Sequence, residues 1–398
     1  MGILDVFKRS PEKTTKATKR TYAGVDNGRL FADFVASERS ADSELRSALK
    51  ELRNRSRDLS MNNEYARRYF ELLKVNVIGE NGVFHQSKAV DSIGQLDQTG
   101  NQAAENAFKM WGRYGFPTVC GKLSWIDVQK LAVELLAKDG EAFIVKHRSP
   151  EFRDSFALEF IEADQIDETY NKRLANGNEI RMGIEVNKFR RPIAYHVLTS
   201  HPGDYDFSSQ TREKKYKRVE ADRVIHLFKQ LRTGQTRGEP WLAPAISAIK
   251  QLGAFREAAV VNARVGASKM GFFKVDGGDG FVADDYEDKS PIIQAEPGSF
   301  HTLPAGVDFT AFEPAFPSNE FDTFHKSILR GIASGLGVSY TSLSNDLEAT
   351  SYSSIRQGAL EERDFYKNMT SFMIQHFITP VYTSWLSSAM ELDSFGIP

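Results

Sequence analysis

Residues 243–268 constrain this chain more than any other stretch. No proline follows Pro244 there, and the pattern predicts one long helix. At about 1.5 Å per residue such a helix spans roughly 38 Å. It is rich in small residues: Ala243, Ala245, Ala248, Gly253, Ala254, Ala258, Ala259, Ala263, Gly266 and Ala267. Small side chains let neighbouring helices approach closely. Lys250, Glu257 and Arg264 recur every seven residues and fall on one face as a polar stripe. A second helix, over 319–336, places Phe321, Phe324, Ile328 and Ile332 on one face and stops at Gly335 and Gly337.

Upstream, the period is mixed. Residues 40–79 read as helical, with Tyr65, Ala66, Tyr69, Leu72 and Leu73 on roughly one face and a stop near Gly79. Further helices are expected over 102–114 and 125–138. The period then changes to two. Strands are expected at 142–146 and 157–161, as a hairpin of 181–186 with 192–198, and at 224–228. Together these predict one α+β unit.

Between the two long helices lies an insert, about 271–317, expected to be strand and loop. It carries the acidic residues Asp276, Asp279, Asp284, Asp285, Glu287 and Asp288. After the second helix comes a polar loop, 339–353. It holds Ser339, Tyr340, Thr341, Ser342, Ser344, Asn345, Asp346, Glu348, Thr350, Ser351 and Ser353, with no Lys or Arg. Tyr352 falls in its last turn. Ser354 and Gln357 have capping-box spacing for a final helix, which is expected to stop before Pro380.

Charge and motifs narrow the function. The 398 residues carry 51 Lys and Arg against 53 Asp and Glu, a net charge of −2. A protein that grips DNA tightly is usually basic, because affinity comes from neutralised phosphates. This chain either ignores nucleic acid or handles it without holding it. The single cysteine, Cys120, excludes an internal disulfide and a thiolate zinc site. No apolar run is long enough to span a membrane. The segment 1–20, basic after Phe7, reads as a flexible arm and not as a secretory signal. Gly115 to Lys122 misses the G-x-x-x-x-G-K-S/T spacing of a phosphate loop, and the acidic stretch lacks the order of a calcium loop. The eight histidines are scattered. The sequence names no catalytic constellation, no cofactor and no metal ligand set.

Four segments together resemble the portal proteins of lambda-type tailed phages. The first runs Arg53-Asn54-Arg55-Ser56-Arg57-Asp58-Leu59 into Asn62-Asn63-Glu64-Tyr65-Ala66 and on to Asn76-Val77-Ile78-Gly79-Glu80-Asn81-Gly82. The second is Gly183-Ile184-Glu185-Val186 with Arg191-Pro192-Ile193-Ala194-Tyr195-His196-Val197 and His201-Pro202-Gly203-Asp204. The third is Val224-Ile225-His226-Leu227-Phe228, then Arg232, Gln235 and the run from Arg237-Gly238-Glu239-Pro240 to Pro244. The fourth is Ile332-Ala333-Ser334-Gly335-Leu336-Gly337-Val338-Ser339-Tyr340, then Leu343-Ser344-Asn345-Asp346 and Tyr352-Ser353-Ser354-Ile355-Arg356. In this order and spacing they cover about residues 40–390.

The resemblance implies an architecture: a basic arm at 1–40, a mixed α/β wing at 41–240, a first stem helix at 241–270 and a small α/β clip at 271–317. A second stem helix at 318–337, a tunnel loop at 338–353 and a long helix returning to the wing at 354–398 complete it. Relatives usually continue into a C-terminal crown, which here is expected to be absent or truncated. The implied function is a ring of twelve subunits at one capsid vertex, through which double-stranded DNA passes in packaging and ejection. The implied partners are the terminase large subunit, head-completion or adaptor proteins, and the major capsid and scaffolding proteins. The implied location is the virion, with the host cytoplasm during assembly. The tunnel-loop residues would face DNA and the acidic clip would dock partners. Arg53, Arg55 and Arg57 could contact DNA, or form ion pairs between or within subunits. Two other readings stay open: a ring-forming adaptor that does not line the DNA path, and a metal-dependent nuclease or hydrolase with an unfamiliar site, which would need clustered carboxylates.

Overall fold

A computed structural model describes residues 38–204, 215–267, 271–275, 307–311, 321–348 and 351–392. The basic arm expected at 1–20 lies outside them. Helix α1 (Ala41–Asn62) forms because Ala41, Leu45, Leu49, Arg53, Ser56 and Leu59 share one buried face, and because Asp42 and Glu44 complement the positive helix start. Asn63 breaks the run. Its extended backbone and side-chain oxygen, which accepts from the Tyr65 and Ala66 amides at 3.0 Å, cap α2 (Glu64–Leu73). A π-helical turn, Lys74–Ile78, follows and ends at Gly79, whose φ of +81° suits glycine. Helical structure over 40–79 is thus present, with an interruption that the periodicity did not show.

Helix α3 (Gln98–Trp111) starts earlier than expected because Asp97 caps it through the Gly100 amide. Helix α4 (Trp125–Lys138) has the expected bounds, held by a capping box between Ser124 and Asp127.

Strands β1 (Glu141–Arg148), β2 (Phe156–Ile161), β3 (Lys172–Arg173), β4 (Glu179–Arg181), β5 (Ile184–Val186), β6 (Pro192–Leu198), β7 (Tyr216–Glu220) and β8 (Val224–Phe228) build two antiparallel sheets. One has the order β2-β1-β8 and the other β3-β4-β5-β6-β7. Alternation along β1 explains the layering. Ala142 and Ile144 belong to a large core shared with the helices. Phe143 and Val145 belong to a smaller core with Ile184, Val186, Tyr195 and Val197 of the second sheet. The three-stranded sheet therefore lies between helices and the five-stranded sheet. The expected hairpin exists between β5 and β6, while β3, β4 and the charged β7 were not expected.

Helix α5 (Ile246–Ala267) is rooted in the large core by Ile246, Ile249 and Leu252. Strands β9 (Gly271–Val275) and β10 (Val307–Ala311) pair antiparallel from Gly271↔Ala311 to Val275↔Val307, closing the base of the insert. Helix α6 (Phe321–Leu336) returns to the core through Leu329, Ile332, Ala333 and Leu336. Helix α7 (Tyr340–Ser344) occupies part of the expected loop.

The last helix begins at Tyr352, so Ser354 and Gln357 lie inside it and are not its capping box. This helix, α8 (Tyr352–Met373), does not stop before Pro380 either. A π-helical turn, Ile374–Ile378, whose end is marked by the Thr379 amide donating to the Ile374 carbonyl, carries it into α9 (Thr379–Glu391). Pro380 then sits in a first turn, where a missing N–H costs least. Trp385 of α9 closes an aromatic cluster with Phe108, Trp111 and Tyr382. Trp111 Nε1 donates to the Phe156 carbonyl at 2.9 Å.

Candidate functional site

The stripe Lys250, Glu257 and Arg264 lies on the exposed surface of α5. Beyond Leu252, only Ala259 is buried among the helix residues whose side chains are described. Val260 and Val261 stay 58% and 49% exposed. Together with Asp58, Asn62 and Glu64 at the α1–α2 junction, this face borders a groove of 610 Å³. Arg256 bridges the groove by an ion pair to Glu64 and stacks over Tyr65. A Cβ added at Gly253 would meet nothing within 4 Å among the described residues, so none of them requires a glycine here. Phe255 stacks on Phe321 of α6 with ring centroids 5.2 Å apart, tying the two helices together.

Residues 339–348 are folded where a polar loop was expected, with α7 over Tyr340–Ser344. Ser339 caps α7 by accepting from the Ser342 amide at 3.1 Å. The Ser339 and Ser342 hydroxyls donate to the Glu362 carboxylate of α8 at 3.0 and 2.7 Å. The Ser344 hydroxyl donates to the Tyr340 carbonyl at 2.7 Å. Asn345 ends the helix in the left-handed conformation, φ 57°. The Tyr340 hydroxyl donates to Asp346 at 2.7 Å, which holds that carboxyl below its ordinary range. Lys326 of α6 lies 3.6 Å from both Asp346 and Glu348. The hydroxyls of Ser339, Tyr340, Ser342 and Ser344 thus serve the chain itself, and Thr341 contacts Ser339. Asn345, Leu347, Glu348 and Ser351 present the exposed surface of the segment. Thr350 lies outside the described residues, as does the side chain of Tyr352.

Arg53 and Arg57 do not form a surface patch. Arg53 is fully buried, 2.7 Å from Asp164 and 3.4 Å from Glu141. Arg57 makes two parallel 2.8 Å bonds to Asp139 and also pairs with Asp164. Both make intrachain ion pairs, one of the uses left open by the sequence. Arg55 is exposed and pairs with Glu51 one turn away at 2.7 Å. A signal was present in the sequence: Leu45, Leu49 and Arg53 are spaced by four, which puts Arg53 on the buried stripe.

The network continues through residues that no sequence pattern singled out. Arg237, fully buried, grips Glu141 and donates to the carbonyls of Ala163, Ile166 and Met182. His226 Nε2 lies 3.0 Å from Glu141. Burial alone would raise the Glu141 carboxyl, but Arg237 and His226 hold it well below the ordinary carboxylate range. Burial lowers His226 against the pull of Glu141. The network joins the helical core to the two sheets, so its role is to fix their relative placement.

Glu162, Asp164 and His201 bring ligand-type atoms within 4.8 Å of one another, a grouping the sequence did not suggest. Asp164 is already engaged by two guanidinium groups and His201 lies 2.8 Å from Glu162, so the positive surroundings disfavour a cation. The acidic residues Asp276, Asp279, Asp284, Asp285, Glu287 and Asp288 lie outside the described residues. No helix among the described residues is long and apolar enough to cross a membrane.

A root of packed helices and sheets, two long helices leaving it, and an insert closed by a two-stranded ladder define a structural subunit. The family model for the phage portal protein, lambda family, matches residues 27–369, and the chain belongs to that family. It is 34% identical to a probable portal protein of Halomonas phage phiHAP-1, over 100% of this chain and 78% of that protein. It is 22% identical to portal protein B of Escherichia phage lambda, over 86% of this chain and 69% of that one. A chain in the virion of a native gene transfer agent particle shares the fold, with a TM-score of 0.51 at 14% identity, covering 92% of this chain and 87% of that chain. The α+β architecture and the portal assignment read from the sequence both stand. The family is structural rather than enzymatic, and its members are virion proteins.

Proposed function

We propose that this portal protein closes into a ring of twelve copies at one capsid vertex. The ring passes double-stranded DNA during packaging and ejection. The observation that carries the reading is the exposed face of α5: Val260 and Val261 lie open among small residues in its outer half, and the stripe Lys250, Glu257 and Arg264 is exposed along its length. Apolar surface of this kind is stabilised by a neighbouring helix, and repetition of one such contact closes a ring when its rotation closes. A near-neutral chain suits a conduit, because strong phosphate contacts would act as a brake.

In this reading residues 41–240 form the wing, 241–270 and 318–337 the stem helices, and 338–353 the lining of the narrowest passage. Residues 354–398 return to the wing. The clip, 271–317, docks the terminase large subunit and then the head-completion or adaptor protein. The wing meets the major capsid and scaffolding proteins, and assembly takes place in the host cytoplasm. Asp346 holds Tyr340, so the clean probe of the passage is Glu348→Lys, which changes a side chain that is 84% exposed. Repeated in every subunit, it places a band of positive charge on the path. In a packaging assay the variant should slow translocation, more at low salt than at high. Packaging at the normal rate across salt concentrations would remove this segment from the DNA path.

A further inference from the structure

The wing carries a second feature that neither ring formation nor DNA passage uses. Pairing of β8 with β1 ends at Val145↔Val224, whereas β1 runs on to Arg148, paired only with β2. Lys146 and Arg148 point to the same face of this one-sided extension, by the two-residue period of a strand. The turn Ala221–Arg223 before β8 brings Arg223 to the open side, and α9 covers the face with Ser384. The result is a cleft of 460 Å³ lined by Lys146, Arg148, Phe156, Asp222, Arg223 and Ser384.

We propose that this cleft binds a phosphate group. Three cations converge on it against one lining carboxylate. Lys146 is half-buried, and its ammonium donates to the Ser384 hydroxyl at 3.2 Å. Neither Lys146 nor Arg223 makes a direct ion pair among the described residues, although Asp222 acts on Lys146 at longer range. Arg148 is held at the rim by Glu391 and Ser387, each at 3.2 Å, which orients its guanidinium and leaves part of its charge for the cleft. A half-buried ammonium whose one nearby carboxylate, Asp222, makes no direct ion pair with it gains from an arriving anion. Burial lowers the Lys146 ammonium from its ordinary value, Asp222 opposes this, and Arg148 adds to it. A tetrahedral oxyanion offers the acceptors that an ammonium and two guanidinium groups can share, while the Ser384 hydroxyl, which donates to the Pro380 carbonyl at 2.8 Å, positions the ammonium. The buried Phe156 ring limits competing water on one wall. The chemistry is that of a phosphate monoester, free phosphate or a backbone phosphodiester.

Binding of inorganic phosphate to the purified full chain, titrated calorimetrically at constant ionic strength against chloride, tests the site. Saturable binding should fall at least tenfold in Lys146→Gln and severalfold in Arg223→Gln. Arg223 is exposed, so its change leaves the fold intact even if Lys146→Gln does not. Asp222→Asn should tighten binding by removing the one lining carboxylate. A short DNA duplex that displaces the phosphate in the wild type, but not in Arg223→Gln, identifies the backbone as the source. Displacement by a nucleoside monophosphate and not by the duplex identifies a small phosphate ester. Binding that is absent, or that is equal in wild type and Arg223→Gln, overturns the proposal. So does an assembled structure in which a carboxylate of a neighbouring copy fills the cleft.

Discussion

Arg237 and Glu141 form a two-pronged ion pair sealed from solvent, with Nη2 2.6 Å from Oε1 and Nε 2.9 Å from each carboxylate oxygen. The pair sits where the helical core meets the sheets, and its remaining guanidinium donors reach three backbone carbonyls. Removing one partner strands a buried charge. Arg237→Ala should therefore cost about 3–5 kcal/mol. Arg237→Lys should also destabilise, since an ammonium cannot reproduce the planar fork. Denaturant unfolding midpoints read both; a loss below about 1 kcal/mol for the alanine variant contradicts the network's structural role.

The same network sets a pH dependence. His226 is lowered in the folded chain and Glu141 is held well below its ordinary range, so at both sites the unfolded chain binds more protons. Stability then rises with pH and is lost as pH falls, first through about 6.5 as unfolded histidine protonates and then through about 4.3 for glutamate. His85, His196 and His325 are lowered as well and act with the same sign. His226→Gln, which keeps a donor for Glu141, should flatten part of the loss between pH 7.5 and 5. An identical pH profile in wild type and variant would place the loss elsewhere.

Gly253→Leu separates folding from assembly. Nothing among the described residues lies within 4 Å of a Cβ at this position, and leucine is the better helix former by about 0.5–1 kcal/mol. The isolated subunit should unfold at the same or a higher temperature, while rings become scarce by sedimentation because the subunit contact is overpacked. Ala259 is unsuited to this test, being 5% exposed and already packed inside its own chain. Rings forming as in the wild type would move the subunit contact off this face of α5.

Neutralising Asp284, Asp285, Glu287 and Asp288 together should weaken docking of the packaging motor and reduce its salt dependence. Pull-down across a salt series measures it, and unchanged docking at low salt rejects an electrostatic role for the insert.

Helix α4, strand β8 and helix α6 were legible because one buried face imposes a clear period on each, and α5 because its small residues and seven-residue polar stripe run on without proline. Strand β7 was not: its Tyr-Lys-Arg-Val-Glu sequence buries only Val219, so its place is set by pairing with β6. Helix α7 hides in a serine-rich run that composition reads as loop, and what folds it is Glu362, distant in sequence. The π-helical turns are tertiary adjustments; the one after α2 offers its Val77 carbonyl to Thr370 of α8 at 2.8 Å. Arg53 and Arg57 look like a basic patch in sequence because their carboxylate partners come from a turn at Asp164, from Asp139 just before β1 and from Glu141 at its start. The phosphate cleft could not be foreseen, since it depends on where β8 stops pairing.

Particle imaging of the purified chain bears most directly on the assignment as a DNA-conducting portal. The prediction is closed rings of twelve subunits with a bore a little over 20 Å, the width of a B-form duplex, and with α5 of each subunit against its neighbour. A chain that stays monomeric at every concentration and salt tested, or rings with a bore too narrow for a duplex, would contradict it.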